Sequence, residues 1–332
     1  MIERKVHVAA IIPAYNAGTT IGAVLRDIPP SVTMIIVIDD GSRDDTSEVV
    51  ARCIAVDRRI ILVKHDGNRG VGAAMITGFA RALELGIAIA VKIDADGQMP
   101  ISMLSALIEP LVAGEADYVK GNRFRDFQAI RKMPLLRRIG NVVLSFLAKA
   151  ATGYWHCFDP TNGYVAIRAD VLAQLPLHRV DPSYFFEISI LSHLYLLGAV
   201  VKEVHMPARY NGEPSSLSNP RVGRQFPARL LSVFLRRIVL KNFVYDFGVE
   251  SLELAAGVPL VLAGVIYGGY NWLWYAAHRM AAPTGTVVLS AMSIILGFQS
   301  LLAATALDLQ SIPSDPINDG PLATDAIRGA MR

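Results

Sequence analysis

An apolar strand that stops in two carboxylates is encoded by the stretch Val91-Lys92-Ile93-Asp94-Ala95-Asp96-Gly97-Gln98. Because side chains alternate along a strand, Asp94 and Asp96 are predicted on the same side, beyond the carboxyl edge of a parallel sheet, where open α/β sheets bind ligands. Two hard oxygen ligands suit Mg²⁺ or Mn²⁺, with water and a bound diphosphate completing the coordination shell. Paired aspartates also occur in turns and helix caps, so this pair alone is weak evidence for a metal site. The motifs in the rest of the sequence have to support it.

The sequence up to residue 125 alternates apolar strands with helices, which predicts a parallel sheet with crossover helices. The predicted strands and helices are 8–12, 19–27, 34–38, 44–53, 60–64, 72–86 and 88–93. The segments that follow the strands are polar or rich in glycine. We therefore expect an α/β domain whose binding site lies where the strands end.

The carboxyl-terminal part is more apolar than a soluble domain needs. Of the 332 residues, 52% are hydrophobic, and no charged residue lies in 254–277 or in 280–307. Each run is long enough to cross a hydrocarbon core of about 30 Å as a helix, and the aromatic residues Trp272 and Trp274 are typical of a membrane interface. We predict a transmembrane hairpin over 251–309, with a pair of buried core helices as the alternative.

Basic residues cluster before the first apolar run, and 221–241 contains no acidic residue. The positive-inside rule places this segment in the cytoplasm, with the α/β domain and both termini on the same side. We expect a multi-pass protein of the inner (cell) membrane without a signal peptide, because residues 1–7 are charged and run into a strand. The two cysteines, Cys53 and Cys157, lack metal or redox spacing, which indicates a reducing compartment.

Two stretches carry apolar residues at helical spacing among basic ones. Residues 133–151 and 226–247 are predicted as amphipathic helices in the membrane interface. For the first, a helix packed on the sheet with a solvated basic face is the alternative. The net charge of +3 is too small to indicate nucleic acid, and the membrane's anionic lipids are the expected partner of the basic clusters. The sequence sets no oligomeric state, so a homo-oligomer stays open.

These features divide the chain into four predicted parts. The α/β domain covers 1–216, and a basic juxtamembrane segment covers 217–250. The hairpin covers 251–309. The tail over 310–332 has no periodicity and is expected to be disordered.

A second acidic motif, Asp39-Asp40-Gly41-Ser42, follows the second predicted strand. One carboxylate could accept hydrogen bonds from a nucleobase N–H or a ribose hydroxyl, while the glycine permits a tight turn and Ser42 caps a helix. A plain cap and turn explains Ser42, but it does not explain two adjacent carboxylates that repel each other. The segment 68–72 has only a partial glycine pattern after the third strand, so it is not a dinucleotide-binding fingerprint.

Five ordered motifs resemble those of the family 2 glycosyltransferases. They are Ile11-Ile12-Pro13-Ala14-Tyr15-Asn16, Ile38-Asp39-Asp40-Gly41-Ser42, Asn68-Arg69-Gly70, Asp94-Ala95-Asp96-Gly97-Gln98 and Gly121-Asn122-Arg123. Their order and the terminal hairpin are similar to the dolichol-phosphate mannose synthase and polyprenyl-phosphate glucosyltransferase branch. The resemblance covers roughly residues 6–216, and five ordered motifs are far more specific than any one.

The resemblance implies a GT-A nucleotide-diphospho-sugar transferase fold with defined site residues. The catalytic residues would be Asp94, Asp96 and Arg123, and Mg²⁺ or Mn²⁺ would be held by Asp94, Asp96 and Gln98. A UDP- or GDP-linked sugar would contact Pro13, Tyr15, Asn16, Ile38, Asp39, Asp40, Ala95, Gln98 and Arg209. The chain departs from the family pattern at Ala17, where the family often has Glu, and at Arg209, which precedes two serines where the family places a Lys.

A polyprenyl phosphate, undecaprenyl or dolichyl, is the acceptor that best explains a cytoplasmic domain tied to two spans. A phosphate monoester is ionised near neutral pH and needs no general base, and in-line attack at the anomeric carbon would invert its configuration. The basic residues expected to hold the acceptor phosphate are Arg125, Arg131, Arg137 and Arg138, with nonspecific headgroup binding as the alternative. Asp159, Asn162 and Glu187 are candidate sugar contacts, although Asp159 also fits a turn and Glu187 a helix start.

Two other functions stay open at this level. Transfer to a hydroxyl of a glycan or of a lipid-linked oligosaccharide would require a well-placed general base. A membrane-anchored scaffold that binds sugar nucleotides without turnover is the second, and the presence of Asp94, Asp96 and Arg123 argues against it.

Overall fold

Seven strands form one mixed sheet in the computed structural model, which describes residues 6–123, 135–207, 220–318 and 322. The strands are β1 (Val8–Ala14), β2 (Met34–Asp39), β3 (Ile60–Lys64), β4 (Ile89–Lys92), β5 (Tyr118–Asn122), β6 (Val165–Arg168) and β7 (Val201–His205). The α-helices are α1 (Ile21–Asp27), α2 (Thr46–Val56), α3 (Val71–Glu84), α4 (Leu104–Val112), α5 (Leu135–Thr152), α6 (Ala169–Leu172), α7 (Phe186–Leu197), α8 (Pro220–Val239), α9 (Val249–Ala277) and α10 (Thr284–Gln310).

The strand order is β3-β2-β1-β4-β6-β5-β7. All neighbouring strands are parallel except β6, which runs antiparallel to both β4 and β5. The predicted α/β alternation of the first four strands is confirmed. The direction of β6 was not predicted, because a short apolar run carries no sign of strand direction. Since Val165 pairs with Lys92 and with Lys120, the segment before β6 lies at the carboxyl ends of β4 and β5.

The sheet is buried on both faces because its strands are nearly continuous apolar runs. On one face Ile12, Val37 and Val91 belong to a single core with residues of α1 and α4. On the other face α3 packs so closely that a Cβ on Gly78 would lie 2.3 Å from Cγ2 of Ile11. Burying each such aliphatic side chain contributes about 1.5–3 kcal/mol. This packing holds the strands in place, and with them the edge of the sheet at which they end.

The chain divides into two compact units, residues 1–234 with 313–332 and residues 235–312. In the first unit, α5, α7 and the first part of α8 pack through a cluster of Ala148, Ala151, Phe185, Ile188, Phe226 and Leu230. Other positions of α5 expose Ile139, Val142, Val143, Phe146 and Leu147. The helix therefore packs on the domain, as the alternative prediction required, but the described side chains that it exposes include a large apolar set. We call these five residues the apolar face of α5.

The second unit is built around α9 and α10, which glycines allow to approach closely. A Cβ on Gly264 would lie 2.9 Å from the carbonyl oxygen of Ser290, and one on Gly297 would lie 2.7 Å from the nitrogen of Val261. Both helices are long and apolar enough to cross a membrane, and only 17% and 11% of their most apolar windows are buried. Such low burial argues against the alternative of two core helices.

Charged side chains of the second unit pair with one another next to these helices. The guanidinium of Arg237 is buried and donates to both carboxylate oxygens of Asp308, at 2.7 and 2.9 Å. The ammonium of Lys241 lies 2.8 Å from both Asp308 and Glu250. Two of the basic residues that we expected to face lipid headgroups are thus used inside the protein.

Part of the tail is ordered, in contrast to the predicted disorder of 310–332. The backbone N–H of Ile317 donates to Oδ2 of Asp117 at 3.0 Å, and the amide of Asn318 donates to Oδ2 of Asp170 at 2.9 Å. These hydrogen bonds join the tail to residues far away in sequence, so local periodicity could not reveal them. Residues 319–321 and 323–332 lie outside the described part of the chain.

Candidate active site

A polar cavity lies at the carboxyl ends of the strands in the first unit. Its lining residues are Lys92, Asp94, Asp96, Gln98, Met99, Arg123, Thr161, Asn162, Gly163, Glu187, Met206 and Pro207. The structure thereby brings together six predicted site residues, which are Asp94, Asp96, Gln98, Arg123, Asn162 and Glu187. The antiparallel β6 makes this possible, because it brings the 159–164 segment to the same edge as β4.

Asp94 and Asp96 lie in the turn after β4, not on the strand. The strand ends at Lys92, and Gly97 has a φ of +72°, a backbone conformation that favours glycine. Oδ1 of Asp96 accepts a hydrogen bond from the backbone nitrogen of Gln98 at 2.9 Å. The prediction that strand alternation aligns the two carboxylates is therefore wrong. The turn brings both to the same cavity instead.

Lys92 is a site residue that the sequence analysis missed. Its Nζ lies 2.8 Å from Oδ1 of Asp94 and 3.3 Å from Oε1 of Glu187, and its side chain is only 3% exposed. Burial lowers the pKa of Lys92, but the charges of Asp94 and Glu187 outweigh burial and leave the pKa above its ordinary value. The ammonium is therefore charged at neutral pH. A lysine inside an apolar strand was the signal that could have revealed it.

Arg123 is held by the buried carboxylate of Asp159. Its Nε donates to Oδ2 at 2.8 Å and its second guanidinium nitrogen donates to Oδ1 at 3.0 Å, a two-point contact. The backbone nitrogens of Phe158 and Asp159 in turn donate to Oε1 of Glu203, at 2.7 and 3.0 Å. Glu203 and Asp159 were not assigned this role from sequence, because the pairing joins residues 36 positions apart.

The predicted sugar contacts Asp159 and Asn162 serve the protein's own architecture. Asp159 is fully buried and bound to Arg123. Asn162 is also buried, donating to the carbonyl of Gly121 at 2.7 Å and accepting from the nitrogen of Tyr164 at 3.0 Å. Both side chains thus have partners within the protein, and their role as sugar contacts stays a prediction. Glu187 lines the cavity and stays a candidate for a sugar contact.

The loops after β1 and β2, where we predicted the nucleoside contacts, are joined to each other. The backbone nitrogen of Asn16 donates to Oγ of Ser42 at 3.0 Å, and its side-chain oxygen accepts from the nitrogen of Arg43 at 2.8 Å. Tyr15 is 45% exposed beside them. The two loops therefore present one surface with an accessible aromatic ring.

Asp39 is buried within this surface and is charged. It accepts hydrogen bonds from the backbone nitrogen of Ser42 at 2.9 Å and from the hydroxyl of Ser47. Burial raises the pKa of Asp39, but the hydrogen bonds from Ser42 and Ser47 outweigh it and leave the pKa below its ordinary value. Its role as a nucleoside contact stays a prediction.

Asp40 is buried and holds the loop after β3. Its Oδ1 accepts from the nitrogen of Arg69 at 3.0 Å and lies 2.7 Å from Nδ1 of His65, and its Oδ2 accepts from the nitrogen of Gly70 at 2.8 Å. Gly70 has a φ of +97°, which favours glycine. These partners supply the compensation that two adjacent carboxylates require.

The remaining predicted residues are placed as follows. Ile38 and Ala95 are buried, and Pro13 is half-buried. The residues Arg125, Arg131 and Arg209 lie outside the described part of the chain. Arg137 lies in α5 but its side chain is not described, and Arg138 is exposed on α5.

The cavity offers a partial metal site. Within the described ranges, no three His, Cys, Asp or Glu side chains form a metal-binding group. Mg²⁺ is commonly bound through one or two carboxylates together with substrate phosphates and water. The donor set of Asp94 and Asp96 fits a cation of this kind that shares its shell with a diphosphate.

Comparison with known proteins assigns the family. The sequence model described as "Glycosyl transferase family 2" matches residues 9–175, half of the chain. The chain belongs to this family. It is a glycosyltransferase, as the motifs predicted, so the reading as a scaffold without turnover is not retained.

Two relatives of this glycosyltransferase act on lipid phosphates by name. A UDP-N-acetylglucosamine–dolichyl-phosphate N-acetylglucosaminyltransferase of Methanococcus voltae is 35% identical over 178 residues, 50% of this chain and 70% of the relative. An undecaprenyl-phosphate mannosyltransferase of Micrococcus luteus is 31% identical over 202 residues, 59% of this chain and 81% of the relative. The recognised branch of the family is thereby confirmed.

The solved structures similar to this glycosyltransferase confirm its GT-A fold. Glucosyl-3-phosphoglycerate synthase from Mycobacterium tuberculosis, in complex with Mn²⁺ and UDP-glucose, superposes with a TM-score of 0.52 at 25% identity. The match covers 68% of this chain and 78% of that one.

Replacing Asp40 tests whether it holds the fold. Asp40→Ala leaves the backbone N–H groups of Arg69 and Gly70 without their acceptor, which we expect to cost about 3 kcal/mol. For a domain of this size the thermal unfolding midpoint should fall by roughly 6–12 °C, measured by circular dichroism on the full chain in detergent. Asp66→Ala, a fully exposed position in the same loop, is the control and should not move it. Equal midpoints for the two variants would contradict this role.

Proposed function

We propose that this glycosyltransferase moves a sugar from a nucleoside-diphosphate sugar to a polyprenyl phosphate, with inversion at the anomeric carbon. The observation that carries the proposal is that the arginine at the cavity and the apolar face of α5 belong to one contiguous structure. A polyprenyl phosphate has the same two-part chemistry, an anionic head and an apolar tail. The product would be a polyprenyl-monophosphate sugar for glycan or glycolipid assembly.

Phe158 provides the link between the two surfaces. It directly precedes Asp159, which holds Arg123, and its ring is 46% exposed. The hydroxyl of Ser145 on α5 donates to its carbonyl oxygen at 2.7 Å, and Nζ of Lys149 lies 4.3 Å from its ring centre. A phosphate at Arg123 would thus lie beside aromatic and aliphatic surface suited to a lipid tail.

The state of the carboxylates favours a phosphate acceptor over a hydroxyl. Glu187 is half-buried and paired with Lys92, and Asp159 is paired with Arg123. Each carboxylate would have to give up its ion pair to take the proton of an acceptor hydroxyl, as a general base must. A phosphate monoester is already ionised, so its attack needs positioning and charge stabilisation only.

A divalent cation, Mg²⁺ or Mn²⁺, would neutralise the diphosphate leaving group when bound. Asp94 and Asp96 would hold it, and Gln98 lines the cavity beside them. The chain's own part is to present these carboxylates, to place Arg123 near the acceptor phosphate, and to bind the nucleoside on the surface formed by Tyr15 and Asp39. The Mn²⁺ and UDP-glucose in the similar synthase support a donor of this class, and UDP- and GDP-linked sugars both fit the proposal.

We further propose that α9 and α10 form a membrane hairpin in the inner (cell) membrane. Their length and apolar composition support it, and the basic residues before them support a cytoplasmic location of the catalytic domain and both termini. The apolar face of α5 is suited to the membrane interface by its own composition. The domain ranges 1–216, 217–250, 251–309 and 310–332 predicted from the sequence belong to the same proposal.

A panel of substrates tests the function. The purified full chain is incubated with Mn²⁺ and one donor, which is UDP- or GDP-linked glucose, mannose or N-acetylglucosamine. The acceptor is undecaprenyl or dolichyl phosphate, and lipid products are identified by mass spectrometry. We expect one donor to give a lipid-monophosphate sugar. Transfer only to a hydroxyl-bearing acceptor, offered in parallel as a lipid-linked oligosaccharide, would support the alternative function instead.

Neutralising one carboxylate of the cavity tests its proposed role. Asp96→Asn should lower the turnover number by a factor of about 10²–10³ without a shift in thermal midpoint, because a charged ligand is lost from a site that needs charge neutralisation. Asp27→Asn, at an exposed position of α1, is the control. Full turnover of the wild type after exhaustive chelation with EDTA would contradict the metal role.

A charge on the apolar face of α5 tests its contact with lipid. Val143→Asp should reduce turnover of a long polyprenyl phosphate in liposomes by about tenfold, because a carboxylate is costly in the interface. Turnover of a short, water-soluble prenyl phosphate should stay close to wild type. Val56→Asp, at a position of α2 that is 89% exposed, is the matched control and should affect neither acceptor. Equal losses with both acceptors would show that Val143 acts through folding.

A further inference from the structure

Lys92 separates two carboxylates that come from different parts of the chain. Its Nζ contacts Asp94 in the turn after β4 and Glu187 at the start of α7, at 2.8 and 3.3 Å. Both carboxylates line the cavity together with Asp96. The cavity therefore contains three carboxylates with one buried ammonium among them.

The position of this ammonium depends on Gly163. A Cβ on Gly163 would lie 2.2 Å from Nζ of Lys92, 3.3 Å from Oε1 of Glu187 and 3.4 Å from Oδ2 of Asp94. Any larger residue would displace the ammonium or the two carboxylates. The absence of a side chain at 163 thus leaves room for a three-way contact that fixes the orientation of Asp94.

The same contact affects any cation that binds Asp94. Lys92 lies 2.8 Å from Oδ1 of Asp94, so a cation at Asp94 would have this ammonium as a close neighbour. The cation and the ammonium would share one carboxylate. Two positive charges that contact the same carboxylate repel each other strongly, even at an effective dielectric constant of about 20. A bound diphosphate would add negative charge beside the cation and offset this repulsion.

We propose that Lys92 is a positioning residue that orients Asp94 and keeps a divalent cation from binding at Asp94 and Asp96 until a nucleoside diphosphate is present. The inference rests on the proposed function, since it concerns the cation of that reaction. It goes beyond that function because the divalent cation would bind only together with the nucleoside diphosphate of the donor.

Two variants that remove the same contact separate charge from structure. Lys92→Met removes the ammonium and leaves both carboxylates, whereas Glu187→Gln removes one carboxylate and leaves the ammonium on Asp94. Both abolish the ion pair between Lys92 and Glu187. A purely structural role of this pair predicts changes in the same direction, and charge compensation predicts changes in opposite directions.

Mn²⁺ is titrated onto the full chain in detergent, and the free ion is measured by electron paramagnetic resonance. The titration is done without nucleotide and with UDP or GDP. Wild type should bind Mn²⁺ tightly only with a nucleotide. Lys92→Met should bind it without nucleotide at least about tenfold more tightly than wild type, while its turnover number falls. Glu187→Gln should bind Mn²⁺ more weakly than wild type in the presence of nucleotide.

Opposite results overturn the inference. One such result is a folded Lys92→Met that binds Mn²⁺ without nucleotide no more tightly than wild type. The other is a Glu187→Gln that binds Mn²⁺ with nucleotide as tightly as wild type. If Lys92→Met fails to fold, as its thermal midpoint would show, the result for Glu187→Gln decides alone. A wild type that transfers sugar and binds Mn²⁺ equally well with and without nucleotide refutes the inference only. A wild type that binds no Mn²⁺ with either nucleotide refutes the metal role in the proposed function as well.

Discussion

The buried ammonium of Lys92 fixes the elements of the site to one another. It lies at the end of β4 and pairs with Asp94 in the following turn and with Glu187 at the start of α7. Gly163, just before β6, leaves the space that the ammonium occupies. A buried charge is costly unless it is paired, so these elements cannot move independently. Without the ammonium, three carboxylates around one cavity would repel each other.

A second ion pair connects this polar cavity to apolar surface. Arg123 is fixed by Asp159, whose backbone is fixed by Glu203 on β7. The neighbouring Phe158 packs against α5, whose other side chains expose an apolar face. A reaction between a water-soluble sugar nucleotide and a lipid phosphate requires a polar binding site next to an apolar surface. The first unit thus presents a polar cavity and an apolar surface next to each other.

The sequence predicted those features that depend on local pattern. The alternation of strands and helices, the placement of Asp39 and Asp94 where strands end, and the two long apolar helices all follow from periodicity and motif order. The features it missed depend on contacts between distant residues, such as the direction of β6, the pairing of Asp159 with Arg123 and the tail at Asp117. Even Asp94 and Asp96 reach one cavity by a turn that strand alternation did not predict.

The route of one oxygen atom shows whether the lipid phosphate attacks the anomeric carbon. The full chain is given a sugar nucleotide labelled with ¹³C at the anomeric carbon and a polyprenyl phosphate labelled with ¹⁸O in its phosphate, and the lipid product is examined by NMR. We expect a product with one phosphorus atom, ¹⁸O bonded to the anomeric carbon, and a configuration inverted relative to the donor. A product with two phosphorus atoms, with unlabelled oxygen at that carbon, or with retained configuration would contradict it.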